Sequence, residues 1–440
     1  MSERLRILIV AENASARFGG EAALPLHYYR VLKERGHAVR LLTHARTRAE
    51  LRALHGDDPS IDYIEDNTWH VAMWRIGERL PARIAYLTSG FASRLATQLA
   101  QRRLARRIVR EADIDVVHQP IPVSPREPSA LHGLGAPLVI GPMNGNMAYP
   151  PGFREAGGLQ AAVVAIGRVA SSLLNRLLPG KLRASALLVA NRRTRDALPS
   201  GSRARVVELV ENGVDFGVFR AVDTASEELH RPRADPPTFV FVGRLADWKR
   251  VDLLLRAFAT AAASTPMRLE VIGDGDQRAR LEALARELGL ATTVEGGGAG
   301  TVAFLGWQSQ PACAAAIAAA RGLVLPSILE CGGAVVLEAM ALGRAVVAVA
   351  WGGPLDYLDR SCGILIEPAS ETAVVAGFSD AMVRLAEDPA LAAQLGQAGR
   401  HTALSDHDWE IKVDRMLDVY REAILGHKTT GLAPTLSSDR

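Results

Sequence analysis

The chain has 440 residues but only 3 cysteines, and aromatic residues make up only 5% of it. Cys313, Cys331 and Cys362 are odd in number and lack C-x-x-C spacing. This speaks against a disulfide framework or a zinc knuckle and points to a reducing compartment. Long apolar runs are also missing: no stretch of about 18 apolar residues is free of charge, so no membrane span is expected. The opening MSERLRILIVAEN holds too short an apolar run for a signal peptide, and a cytoplasmic protein is expected. Aromatics are scarce among the basic runs, a poor match to single-stranded nucleic acid, so no nucleic-acid partner is expected. A G-x-G-x-x-G loop is absent as well. ENASARFGGEAA after the first strand does not supply it, and GDGDQR fails at the third glycine. A nicotinamide dehydrogenase is therefore disfavoured.

What is present suits two to three domains with real cores: 48% of residues are hydrophobic and 22% charged. Residues 1–200 carry 28 Lys and Arg against 17 Asp and Glu, whereas the remainder carries 23 against 31. The excess of positive charge in the first half fits an anionic membrane surface or a phosphate-bearing ligand, or is a solvated face. Short β-branched runs alternate with helical segments throughout, the pattern of parallel α/β sheets. In the first half RILIVAE, AVRLLTH, IDVVHQ, PLVIGP, ASALLVAN and ARVVELVENGV read as strands, with helices over Glu21–Arg35 and roughly Leu159–Leu178. In the second, TFVFVGR, RLEVIGD, VAFLGW, RGLVLPS, AVVAVA and CGILIEP read as strands. The polar, Pro-Pro-ending segment 220–237 reads as a linker. The expected layout is a doubly wound, Rossmann-like domain over 1–218 and a second over 219–406, facing a central cleft. A C-terminal helix over 407–425 packs back on the first domain, and 426–440 is a disordered tail.

Two segments carry recognisable chemistry. Arg244 and Lys249 follow strand FVFVG, and a forked guanidinium beside a point-charge ammonium suits a diphosphate. In LVLPSILECGGAVVLEAMALG, Gly332 and Gly333 let backbone N–H groups approach a ligand at the start of a helix that opens near Ala334. Glu330 lies in that loop, and Glu338 sits inside the otherwise apolar helix, where a carboxylate is costly unless hydroxyl donors satisfy it. A ribose diol offers two. The D-x-D pairs Asp113/Asp115, Asp274/Asp276 and Asp406/Asp408 lie away from this segment, so no metal ligand set is implied.

The E-x(7)-E spacing of Glu330 and Glu338 resembles that of retaining glycosyltransferases of family 4, which have the GT-B fold. Gly19-Gly20, RGHAV, ENGVDFGVF, GRLADWKRVDLLLRAF, VIGDGDQRARLEALARELGL, FLGW and DWEIKVDRMLDVY resemble further landmarks of that family, in order along the chain. The resemblance implies transfer of a hexose from a nucleotide sugar, with retention, to a saccharide acceptor. The acceptor is expected to be lipid-linked, with a soluble small molecule as the alternative, and a non-catalytic nucleotide-sugar-binding protein as a further one. It implies that Arg244 and Lys249 hold the donor diphosphate. Glu338 binds ribose, and Glu330 with Cys331, Gly332, Gly333 and Ala334 holds the sugar. Gly19 and Gly20 let the first loop approach the phosphates, and His118 contacts the sugar near the reacting face. No metal or other cofactor is expected, and a UDP-sugar is favoured over a GDP-sugar as co-substrate.

The chain departs from the family at Cys331: the usual aromatic of the family's E-G-F-G type loop is replaced, Glu330 being followed by Cys331, Gly332 and Gly333, which implies a different packing beneath the donor sugar. It departs also at VIGPMNGNMAYPP, where Asn144 and Asn146 either bind a sugar acceptor or hold a turn. A last expectation concerns FASRLATQLAQRRLARRIVR. Phe91, Leu95, Leu99, Leu104 and Ile108 alternate there with Arg94, Arg102, Arg103, Arg106, Arg107 and Arg110, as in a helix docking peripherally on an anionic membrane. Val163–Leu178, with Arg168 and Arg176, reads as a second such stretch.

Overall fold

The computed structural model describes residues 4–80, 86–153, 171–217, 219, 236–293 and 300–431. The expected linker lies outside them as far as residue 235, as do residues 159–170 of the expected helical stretch Leu159–Leu178 and 432–440 of the tail.

The fold is a two-domain α/β architecture of the GT-B kind, with two parallel seven-stranded sheets. The first contains β1 (Arg6–Val10), β2 (Ala38–His44), β3 (Ile61–Ile64), β4 (Val116–Gln119), β5 (Leu138–Met143), β6 (Ala186–Val189) and β7 (Arg205–Glu208), in the order β3-β2-β1-β4-β5-β6-β7. The second contains β8 (Thr238–Val242), β9 (Arg268–Ile272), β10 (Ala291–Thr293), β11 (Thr301–Gly306), β12 (Gly322–Leu325), β13 (Ala345–Val349) and β14 (Ile364–Ile366), in the order β10-β11-β9-β8-β12-β13-β14. Strands β4, β5, β6, β12 and β13 are buried along their whole length, which is why they read as unbroken apolar runs rather than alternating ones. The strand order reverses between β1 and β4 in one sheet and between β8 and β12 in the other. In each sheet the loops leaving these two strands lie at a reversal of strand order, the kind of place where open α/β sheets take ligands. Arg244 follows β8 and Glu330 follows β12.

Packing divides the chain into two units. One comprises 1–146, 157–211 and 413–440, and the other 147–156 and 212–412. The division falls at 211/212, ahead of the expected boundary at 218/219, and the first half lends 147–156 to the second unit. The return crossing is pinned within the second unit: Val214 N–H donates to His407 O at 2.7 Å and Trp409 N–H to Val214 O at 3.1 Å. The final helix, Trp409–Gly431, runs past the expected end at 425, so residues 426–431 are helical and not a disordered tail.

The helix Phe91–Glu111 bears on the membrane expectation. Ala105, Ile108 and Val109 are buried in the first unit's core, and Leu104 packs against it. Of the expected stripe, Leu104 and Ile108 are thus turned to the protein's own core, whereas Phe91 and Leu95 are half-buried and Leu99 is exposed. Arg94 is paired with Glu127 at 3.0 Å, and Arg102 donates to His132 O at 2.9 Å. Arg103, Arg106, Arg107 and Arg110 form an exposed basic face without an apolar companion on this helix, apart from Leu99. In the described part of the second stretch, Leu173 and Leu177 are exposed.

Candidate functional site

The second unit brings the expected donor residues onto adjoining loops. After β8 the chain turns through Gly243 and Arg244 into a short 3-10 turn, Asp247–Lys249. The Arg244 guanidinium is exposed and has no partner among the described residues, so it is available to an anion. Lys249 is enclosed instead, and its ammonium is in direct contact with the Glu330 carboxylate as an ion pair. The two loops are tied by their backbones: Ile328 N–H donates to Trp248 O at 3.1 Å. Past Glu330 the chain passes exposed Cys331 and Gly332 to Gly333, whose left-handed backbone (φ 75°) opens the helix Ala334–Ala341. Val336 N–H donates to Gly333 O at 2.9 Å, and no side chain among the described residues caps the helix, which leaves the N–H groups of Ala334 and Val335 and the positive end of the dipole for an anion or hydroxyl.

Glu338 lies on this helix, with the Gln310 side chain as its hydrogen-bond partner and no cation paired to it among the described residues. Burial pushes its carboxyl up to about 7. A carboxyl held so close to neutrality, without a counter-ion, suits hydrogen bonding to neutral hydroxyls better than a salt bridge. Cys313, on the helix Gln310–Ala319, has its thiol pushed up by burial and by Glu338; it is no activated nucleophile.

Three features of this site were not foreseen. Gly352 and Gly353, in the loop after β13, press against the Glu330–Gly332 backbone. Gly353 N–H donates to Glu330 O at 2.7 Å, and Gly352 has φ 75°. A Cβ at Gly352 would come within 2.3 Å of Glu330 O and 2.6 Å of Met147 Cε; one at Gly353 would lie 2.4 Å from Cys331 O. The segment from Met147 onward, expected on the acceptor side, instead packs here, and the Trp351 indole N–H donates to Ala148 O at 2.8 Å. Gln310 is the third. The W-G-G-P run resembles C-G-G as a double glycine after a buried strand, and that was the available signal.

In the first unit the outcome is different. Gly19 (φ 101°) and Gly20 open the helix Gly20–Glu34, both are exposed, and a Cβ on either would touch nothing within 4 Å. The expected sugar contact, His118, is enclosed within the first unit. It is 0% exposed, its Nε2–H donates to Gly141 O at 2.7 Å, and its Nδ1 accepts from Tyr420 Oη–H at 2.7 Å. Burial pushes the imidazole down to about 4. Both nitrogens being used internally, His118 clamps β4, β5 and the final helix together. Of the two readings of Asn144 and Asn146, the internal hydrogen bonds fit the holding of a turn. Asn144 is buried, donating to Glu211 Oε1 at 2.8 Å and accepting from Arg193 Nη2 at 3.0 Å. Asn146 (φ 59°) donates to Arg193 O at 3.1 Å and accepts from Arg126 Nη2 at 2.6 Å.

One group among the described residues has metal-ligating types: His44, Asp66 and His70, with ligand atoms within 4.8 Å of one another. Nδ1 of His44 accepts from Arg46 N–H at 3.2 Å, and Nδ1 of His70 from Asn67 N–H at 3.1 Å. Nε2 of His70 is bonded to Thr97 Oγ1 at 3.0 Å, whereas Nε2 of His44 lies 3.4 Å from Asp66 Oδ1 and makes no hydrogen bond. Three of the four ring nitrogens are thus engaged by the protein's own groups.

Comparison with known proteins bears on the same unit. Residues 223–402 match the family described as "Glycosyl transferases group 1", and Arg244, Lys249, Glu330 and Glu338 all lie inside the match. The chain is 36% identical over 230 residues to a D-inositol 3-phosphate glycosyltransferase of Nocardioides sp., covering 49% of this chain and 48% of that protein. It thus spans about half the length of the curated relatives it matches. Among solved structures it is similar to HepE of Anabaena in complex with UDP and glucose (TM-score 0.62, 16% identity, 95% of this chain and 100% of that one). It is also similar to sucrose-phosphate synthase of Thermosynechococcus elongatus (TM-score 0.60, 19% identity, 96% and 100%). At these identities the likeness is one of fold.

Proposed function

We propose that the protein is a nucleotide-sugar-dependent glycosyltransferase of family 4 that moves a hexose, with retention, to a small, soluble, phosphate-bearing acceptor. The carrying observation is the grouping of Arg244, Lys249 and Glu330 with an uncapped helix N-terminus and the cation-free Glu338, inside the matched segment. The leaving nucleoside diphosphate gains negative charge as the glycosidic bond breaks. Arg244, Lys249 and the N-terminal dipole of Ala334–Ala341 are placed to stabilise that charge, and this is the catalytic term assigned to them. Glu338 accepts from the ribose diol, and Glu330 from sugar hydroxyls.

The acceptor reading draws on two supports. The relatives above are named for D-inositol 3-phosphate, and the excess of Lys and Arg over residues 1–200 suits a phosphate-bearing ligand. A lipid-linked acceptor loses part of its local argument with the inward-facing part of the stripe on Phe91–Glu111. The test is release of UDP or GDP from a panel of UDP- and GDP-hexoses, with and without inositol monophosphates, followed by the anomeric configuration of the product. Binding of a donor without turnover on any acceptor would favour a nucleotide-sugar-binding protein instead.

A further inference from the structure

We propose that Lys249 and Glu330 exchange partners during each catalytic cycle: their ion pair closes the empty donor site, and its re-formation drives out the nucleoside diphosphate product. This rests on the donor reading given above and concerns the same site.

The pair is enclosed, with 16% of the Lys249 side chain and 12% of the Glu330 side chain exposed. Each is the other's only charged partner among the described residues. Nor is the contact a chance meeting of two flexible side chains. Lys249 N–H is bonded to Ala246 O at 2.9 Å, Trp248 O accepts from Ile328 N–H, and Glu330 O accepts from Gly353 N–H. The backbones on both sides are held, and Gly333 leaves only 3.0 Å between a built Cβ and Glu330 Cγ. Arg244, in contrast, stands exposed and unpaired at the same strand end, open to the first contact with a phosphate.

A diphosphate that takes the Lys249 ammonium leaves the Glu330 carboxylate enclosed, unpaired and beside new negative charge, which is strongly unfavourable. An intact nucleotide sugar relieves this, because the hydroxyls of its sugar donate to the carboxylate that the ammonium has left. A nucleoside diphosphate alone has nothing to offer there. The site therefore holds the donor better than the product, and once the hexose has gone to the acceptor, Glu330 reclaims Lys249.

The test is calorimetric titration of UDP and of GDP into the wild type, Glu330→Gln, Lys249→Met and the double variant. Glu330→Ala is a second choice if the glutamine form misfolds. The exchange predicts that removing the Glu330 charge tightens diphosphate binding by about tenfold and that this gain vanishes in the Lys249→Met background. Equal or weaker binding by the Glu330 variant would overturn the exchange and leave the donor site standing. A gain that persists without Lys249 would mean simple repulsion and would also overturn it. If the wild type binds neither diphosphate, the donor reading fails first and takes the exchange with it.

Discussion

Replacing Glu338 by glutamine tests the ribose assignment through pH. The carboxyl is raised from an ordinary value near 4.5 to about 7 because it is desolvated, with only the Gln310 side chain favouring the ionised form. Roughly a tenth of it is ionised at pH 6 and roughly nine-tenths at pH 8. If the ribose diol donates to the carboxylate, affinity for the nucleoside diphosphate rises about tenfold over that window, or about 1.4 kcal/mol. The last phosphate proton, with a pKa near 6, titrates there too and adds a slope of its own. The measurement is therefore the difference between wild type and Glu338→Gln in titrations at pH 6, 7 and 8. Glu338→Gln keeps the shape and the partnership with Gln310 and should retain only the phosphate slope.

The same group sets a stability slope of known sign. The unfolded carboxyl loses its proton near pH 4.5 and the folded one near 7, so between these values the folded chain holds more protons. Unfolding free energy should fall as pH rises through that interval, by up to about 3 kcal/mol, and flatten above it. In Glu338→Gln this decline should be missing in thermal or denaturant unfolding. Identical pH slopes for the two proteins in both assays would refute the assignment of an uncompensated, ligand-ready carboxyl at this position.

Other expectations follow from the geometry. Arg244→Ala should lower kcat/KM roughly 10- to 150-fold by removing a charge-assisted contact, with an unchanged melting temperature because the side chain is exposed and unpaired. Gly352→Ala should cost about 2 kcal/mol in stability and depress transfer more than diphosphate binding, since its Cβ would collide with Glu330 O and Met147; unfolding curves and calorimetry read the two effects separately. Tyr420→Phe should cost about 1–3 kcal/mol by stranding the buried Nδ1 of His118, while UDP affinity stays at the wild-type value. A large loss of affinity with intact folding would return His118 to the donor site.

The grouping of the candidate donor residues was legible because each belongs to one short local device. Arg244 and Lys249 share a single strand-end turn, and Glu330 and Glu338 share one loop and the helix it opens, so spacing along the chain already encodes proximity in space. The internal bonding of the first unit's polar residues was not legible because their partners are remote. His118 is held by Tyr420, 302 residues away, and Asn144 by Glu211, 67 residues away. A histidine at the carboxyl end of a strand can serve a ligand only while one of its nitrogens is free, and that depends on contacts no local pattern contains. The strands β3 and β10 were missed for another reason. Both are short sheet edges, with Asp62 in one and two threonines in the other, so they lack the apolar run that marks a buried strand. Phe91–Glu111 shows a third kind of ambiguity, since an amphipathic stripe has the same periodicity whether a bilayer or the protein's own sheet covers it. What decides there is the neighbour: Ala105, Ile108 and Val109 are in the core, so that part of the apolar face is covered by the protein itself, and the arginines opposite it are a surface charge.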